Sequence, residues 1–195
     1  TLTAEGQSDS NIRRIFTTGF QSEWKSTMER QLLTISPKAR LLSVDYGKNP
    51  KDYQAAPIKI TFRYEIPDYA LKGEGEMFFR PMVMNNLYNQ VRSYLRIDTS
   101  VENRKYGFKD CSRLVELDEM IQLPAGYKLV NAAKNEMMQG VGADFEGSLT
   151  QKGNKVLLHN RLALKKRVYE ASDWESFRNA VNAHKAYGEY LVIKK

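Results

Sequence analysis

Residues 156–169 read VLLHNRLALKKRVY, and residues 170–195 continue EASDWESFRNAVNAHKAYGEYLVIKK. In the first stretch Leu158, Leu162, Leu164 and Val168 fall on one side of a period of two. His159, Arg161, Lys165 and Arg167 fall on the other. That alternation predicts one long strand, Val156–Tyr169, with one buried and one wetted face. Ser172 stands three residues before Glu175, the spacing of a reciprocal helix cap. Trp174, Phe177 and Val181 follow at helical spacing, Gly188 ends the helix, and Tyr190–Ile193 reads as a closing strand. Strand, capped helix and strand in this order decide the fold, and the upstream sequence reads as sheet and support.

Working outward, Gly153 and Asn154 form a two-residue turn into the long strand from a preceding one at Ala143–Gln151. Arg113–Leu123 is a further strand, closed by the turn Pro124-Ala125-Gly126, and Tyr127–Val130 another. Ile58, Ile60, Phe62, Tyr64 and Ile66 alternate with Lys59, Thr61, Arg63 and Glu65, a half-buried strand ended by Pro67 and Asp68. Leu71–Arg80, with Gly73 and Gly75, suggests a hairpin return. Ala39–Tyr46 is a strand before the turn Gly47–Asp52. Phe20, Trp24, Met28, Leu32 and Ile35 draw one apolar stripe on a helix ending before Pro37. Leu2–Ala4 and Ile12–Thr18 read as short strands around the polar turn Gly6–Ser10. Residues 81–99 fit a helix or a strand, and both remain open. The predicted class is α+β, mostly β: an antiparallel, sandwich-like sheet with a helix in the N-terminal region and a C-terminal helix packed on it. A β-α-β crossover at the end stays open. Residues 1–195 read as a single β-rich module, with a subdivision near residues 81–100 as an alternative.

The chain has 195 residues, 42% of them hydrophobic, and a formal charge of +7. This is enough apolar material for one sizeable core or two small ones, and the surplus of Lys and Arg is a weak pointer to anionic partners. The basic residues are scattered over predicted solvent faces. Lys165, Lys166 and Arg167 are the densest group and sit beside buried leucines, so nucleic acid is not the expected partner. No apolar run is long enough to span a membrane, and Thr1–Ser10 is too polar for a signal peptide. Thr1 is not an initiator Met, which is expected of a fragment or processed product.

Chemistry-bearing residues are few. The lone Cys111 excludes an internal disulfide and a multi-cysteine metal site. A nucleophilic site would have to join Cys111 to His159 or His184. Cys111 precedes a strand and lacks the helix N-terminus that usually activates a thiol, so it reads as a small packed residue. His159 lies on the polar strand face beside Arg161, and His184 in the last turn of the C-terminal helix, where it complements the dipole. Glu116 and Asp118 share a strand face, with Glu119 adjacent, and a solvated sheet explains them better than a glycosidase pair. Gly140, Gly142 and Gly147 do not follow phosphate-binding spacing. Tyr46, Tyr53, Tyr69 and Tyr88 fall at turns or ambiguous places, where exposed rings could stack on sugars or peptides. The expectation is therefore no catalytic, cofactor-binding or metal-binding residue.

Several short motifs carry a resemblance. They are Arg104-Lys105-Tyr106, Ile121-Gln122-Leu123-Pro124-Ala125-Gly126-Tyr127, Tyr169 followed by Trp174-Glu175-Ser176-Phe177-Arg178, and Tyr190-Leu191-Val192-Ile193-Lys194-Lys195. Gly19–Arg30 resembles the stretch entering the same module. In this order they resemble the C-terminal β-rich domain of unknown function found behind the transglutaminase-like core of exported Gram-negative bacterial proteins. One departure is Gly107, where a proline is expected shortly after the arginine. The resemblance implies a non-catalytic accessory module, periplasmic or at the cell surface, with the transglutaminase-like core of the same polypeptide as partner. A Cys-His-Asp triad would belong to that core, before Thr1. A carbohydrate- or peptide-binding sandwich and a small Cys-dependent hydrolase are the alternatives.

Overall fold

The computed structural model describes residues 1–54, 57–82, 93–110, 112–130 and 134–195. Tyr88 and Cys111 therefore lie outside the described residues, as does most of the ambiguous segment 81–99, of which Ser93–Arg96 is a short 3-10 turn. Every strand pairing among the described residues is antiparallel. The mostly-β, α+β class holds, and the contacts divide the chain into two compact units, each described below by itself.

In the first unit, β1 (Leu2–Ala4), β3 (Ile58–Glu65) and β2 (Arg40–Asp45) form a three-stranded sheet in the order β1-β3-β2. The strand expected at Ile12–Thr18 is instead the end of helix α1 (Gly6–Thr17). Ile12 and Phe16 are buried four residues apart, and Asp9 pairs with Arg13 at the same spacing, so the period is helical. The stripe Trp24, Met28 and Leu32 is buried on α2 (Trp24–Leu33), as expected. Phe20 leaves the stripe: it precedes a 3-10 turn at Gln21–Glu23 and is 76% exposed. Ile12, Phe16, Trp24, Met28, Ile58 and Ile60 make the core.

The second unit is built on a four-stranded sheet in the order β7-β11-β10-β9. Its long members are β7 (Arg113–Gln122), β10 (Ala143–Lys152) and β11 (Lys155–Leu164); the expected turn at Gly153, whose φ of 60° suits glycine, joins β10 to β11. The edge strand β9 (Lys134–Met138) is polar and unmarked by alternation, and sequence reading missed it. The long strand expected over Val156–Tyr169 stops at Leu164. Lys165 bonds the Gly140 carbonyl and pairs with Asp144, Lys166 pairs with Asp173, and the chain turns before β12 (Val168–Tyr169). Charge anchoring overrides the sequence period there. β12 pairs with β6 (Phe108–Lys109). A further sheet runs β4 (Leu71–Lys72), β5 (Glu76–Phe79), β13 (Leu191–Lys194), β8 (Lys128–Leu129). The strand expected at Tyr127–Val130 shrinks to its two middle residues, and β13 joins antiparallel, so no parallel crossover forms.

Helix α3 (Trp174–Ala186) lies against β10 and β11 and buries Trp174, Phe177 and Val181. Its start differs from the expected Ser172–Glu175 box. The Glu170 backbone N–H donates to Asp173 Oδ2 at 2.9 Å, and Ser176 Oγ donates to the Asp173 carbonyl. Gly107 has a steric reason: a Cβ there would stand 2.5 Å from the Tyr169 carbonyl oxygen. The Arg104 guanidinium stacks above Phe108 and Trp174 at 4.7 and 4.9 Å, fixing the same turn.

Candidate functional site

The four-stranded sheet sorts the chemistry-bearing residues by strand parity. Odd-numbered residues of β11 face outward, and even-numbered ones lie under α3. His159 therefore sits on the outer face, half-buried, and Asn160 on the inner face, fully buried.

On the outer face the register aligns three polar side chains across three strands: Asp118 of β7 opposite His159 of β11, and Ser148 of β10 on its other side. His159 Nδ1 lies 2.8 Å from Asp118 Oδ1. The next rung carries Glu116, Arg161 and Glu146, with Arg161 Nε donating to Glu116 at 3.0 Å. Serine, histidine and aspartate in this order are the parts of an acyl-transfer triad. The geometry does not complete it. Among the described residues no hydrogen bond joins Ser148 to His159, and the Asp118 side chain is 78% exposed. β10 is flanked by β9 and β11, so its backbone donors near Ser148 serve ladders and none remains for an oxyanion. The carboxylates Glu116 and Asp118 are solvated partners of Arg161 and His159. Glu119 faces inward and accepts a hydrogen bond from the Met82 backbone N–H.

Beneath α3 lies a second polar group. His184 is buried, with Nδ1 2.6 Å from Asn160 Oδ1 and Nε2 3.1 Å from the Tyr94 hydroxyl. Asn160 Nδ2 donates to the His184 carbonyl at 3.4 Å. That donation turns Oδ1 toward the ring, so Nδ1–H is the donor in the bond to Asn160, and Nε2 stands within hydrogen-bond distance of the Tyr94 hydroxyl. The ring thus ties α3 to β11 through Asn160 and to the 3-10 turn Ser93–Arg96 through Tyr94. Tyr187, one turn on, fills the space that Gly147 leaves empty: a Cβ at Gly147 would stand 2.6 Å from the Tyr187 ring. Its buried hydroxyl lacks a hydrogen-bond partner among the described residues. Desolvation, with Glu136 nearby, pushes this phenol up to about 12.

The two histidines occupy opposite faces of one sheet and cannot serve one nucleophile. Among the described residues no group of three His, Cys, Asp or Glu side chains is placed to hold a metal. Of the tyrosines, Tyr46 packs edge-on against Phe16 and Trp24 and belongs to the core, whereas Tyr53 is 52% exposed beside the Arg13 guanidinium. Sequence reading missed Ser148, Asn160 and Tyr94, whose partners come from the cross-strand register and from a residue 90 positions away. No helix among the described residues is long and apolar enough to cross a membrane.

Comparison with the curated proteins finds no match. Among solved structures, the fold is similar to a crystal structure of "a putative protease" from Parabacteroides distasonis ATCC 8503, with a TM-score of 0.51 and 12% identity. The match covers 63% of this chain and only 24% of that one. Residues 75–192 match the family described as a domain of unknown function with solved structure, and this chain belongs to that family (DUF3858).

Proposed function

We propose that this chain is a non-catalytic accessory module of a larger exported protein, in which a transglutaminase-like core supplies the chemistry. The observation that carries the reading is the separation of His159 and His184 onto opposite faces of the β7-β11-β10-β9 sheet, each imidazole held by a structural partner. A nucleophile needs a base within hydrogen-bond reach. Among the described residues Ser148 makes no hydrogen bond to the Asp118-held His159, and both nitrogens of His184 are already engaged. A fold neighbour more than twice as long as this chain supports an accessory role. The resemblance adds a periplasmic or cell-surface location.

The test is an assay of the purified chain against ester, peptide and glutamine-amide substrates. Turnover should stay at the buffer rate. Activity that disappears in Cys111→Ala, or in Ser148→Ala, would replace this reading with a hydrolase. Fractionation of cells expressing the full-length gene product should place it outside the cytoplasm, and recovery in the cytosol would remove the exported part.

A further inference from the structure

We propose that β9 is a docking edge for a second copy of this chain, pairing antiparallel about a two-fold axis at Asn135. Among the described residues β10 is the only strand paired with β9, so one side of Lys134–Met138 faces outward as an open edge. Exposed edges invite strand addition unless something blocks it. The opposite edge of this sheet is blocked by charge. Self-pairing of β7 about Leu117 would set Glu116 opposite Asp118 twice, acid against acid.

β9 has no such barrier. Lys134 and Glu136 lie on the same face, opposite Leu149 and Gly147 of β10. Neither has an ion-pair partner among the described residues. A two-fold at Glu136 would set that carboxylate against its own copy. A two-fold at Asn135 sets Lys134 opposite Glu136 twice, so charge complementarity selects both the occupant and the register. Met137 and Met138, 70% and 38% exposed, flank this centre and add apolar surface. Three rungs bury less than stable interfaces do, so the dimer is concentration-dependent.

Register makes the test sharp. With Cys111→Ser as background, Asn135→Cys places two thiols directly opposite, within the Cα separation that a disulfide needs. Glu136→Cys places them diagonally, about 8 Å apart by strand geometry. Oxidation should give at least about tenfold more covalent dimer from the Asn135→Cys chain. In light scattering at high concentration, Lys134→Glu and Glu136→Lys should each abolish dimer, and the two together should restore it. A monomer at every concentration, equal cross-linking of both cysteine variants, or no recovery in the charge-swapped chain would each overturn the proposal. Circular dichroism confirms that each variant is folded.

Discussion

The His184 ring is locked to Asn160, its Nδ1 2.6 Å from Asn160 Oδ1, in the interior between α3 and β11. Buried polar groups are costly when unpaired and modestly favourable when paired, so the two side chains act as a unit. Asn160→Leu should lower stability by about 1–3 kcal/mol, because it strands an imidazole N–H. His184→Phe combined with Asn160→Leu should lose less than the sum of the two single changes. Urea unfolding of the four chains measures the coupling, and strict additivity would refute it.

Gly147 is required by the Tyr187 ring. Adding a Cβ brings it to 2.6 Å from both Phe145 Cζ and Tyr187 Cζ. Gly147→Ala should therefore cost about 1–3 kcal/mol through overpacking. The same change in a Tyr187→Leu chain should cost much less. Equal penalties in the two backgrounds would show that the glycine serves its backbone instead.

Tyr187→Phe should leave the melting temperature at neutral pH unchanged or raised, since the hydroxyl removed is buried without a partner among the described residues. The alkaline limb should change too. A phenol pushed up to about 12 in the folded chain is neutral there while its unfolded form ionises near 10. Its stabilisation is full below about pH 10 and is lost as pH rises toward 12. The variant should lose that part of the alkaline decline, and a superimposable stability–pH curve would contradict this.

Asp173 is held below the usual carboxylate range, first by Lys166 and then by the Glu170 backbone N–H. Its stabilisation is therefore present above the unfolded pKa, about 3.9, and fades as pH falls through the lower folded value. Asp173→Asn should melt lower than the parent at pH 7 and converge with it in acid. A constant difference down to about pH 2 would exclude the linkage.

Arg13 is a buried guanidinium in the first unit, 2.7 Å from Asp9 and bonded to the carbonyls of Pro50 and Asp52. Arg13→Ala should cost about 3–5 kcal/mol, because it leaves those acceptors and a half-buried carboxylate uncompensated. Limited proteolysis should then cut within 47–54 first. Unchanged cleavage kinetics would show that the turn does not depend on this clamp.

Much of the architecture was legible because a period of two or of 3.6 records burial directly. β3, β7, β10 and β11 show it, as does the stripe Trp24, Met28 and Leu32. The Ile12–Phe16 segment was read with the wrong period because a stretch that short fits both templates, and only the pairing of Asp9 with Arg13 and the shared core make it helical. β9 was invisible because an edge strand needs no apolar alternation.

By itself the sequence determined a mostly-β, α+β chain with a buried C-terminal helix, and it lacked a convincing catalytic motif. Tertiary structure decided where the break after Leu164 falls, which face each histidine takes, and that Ser148, His159 and Asp118 share a row without forming a triad. The physical reason is that periodicity is a local record of burial. Register, ion pairing and the meeting of residues 24 to 90 positions apart arise only when strands and helix close on one another.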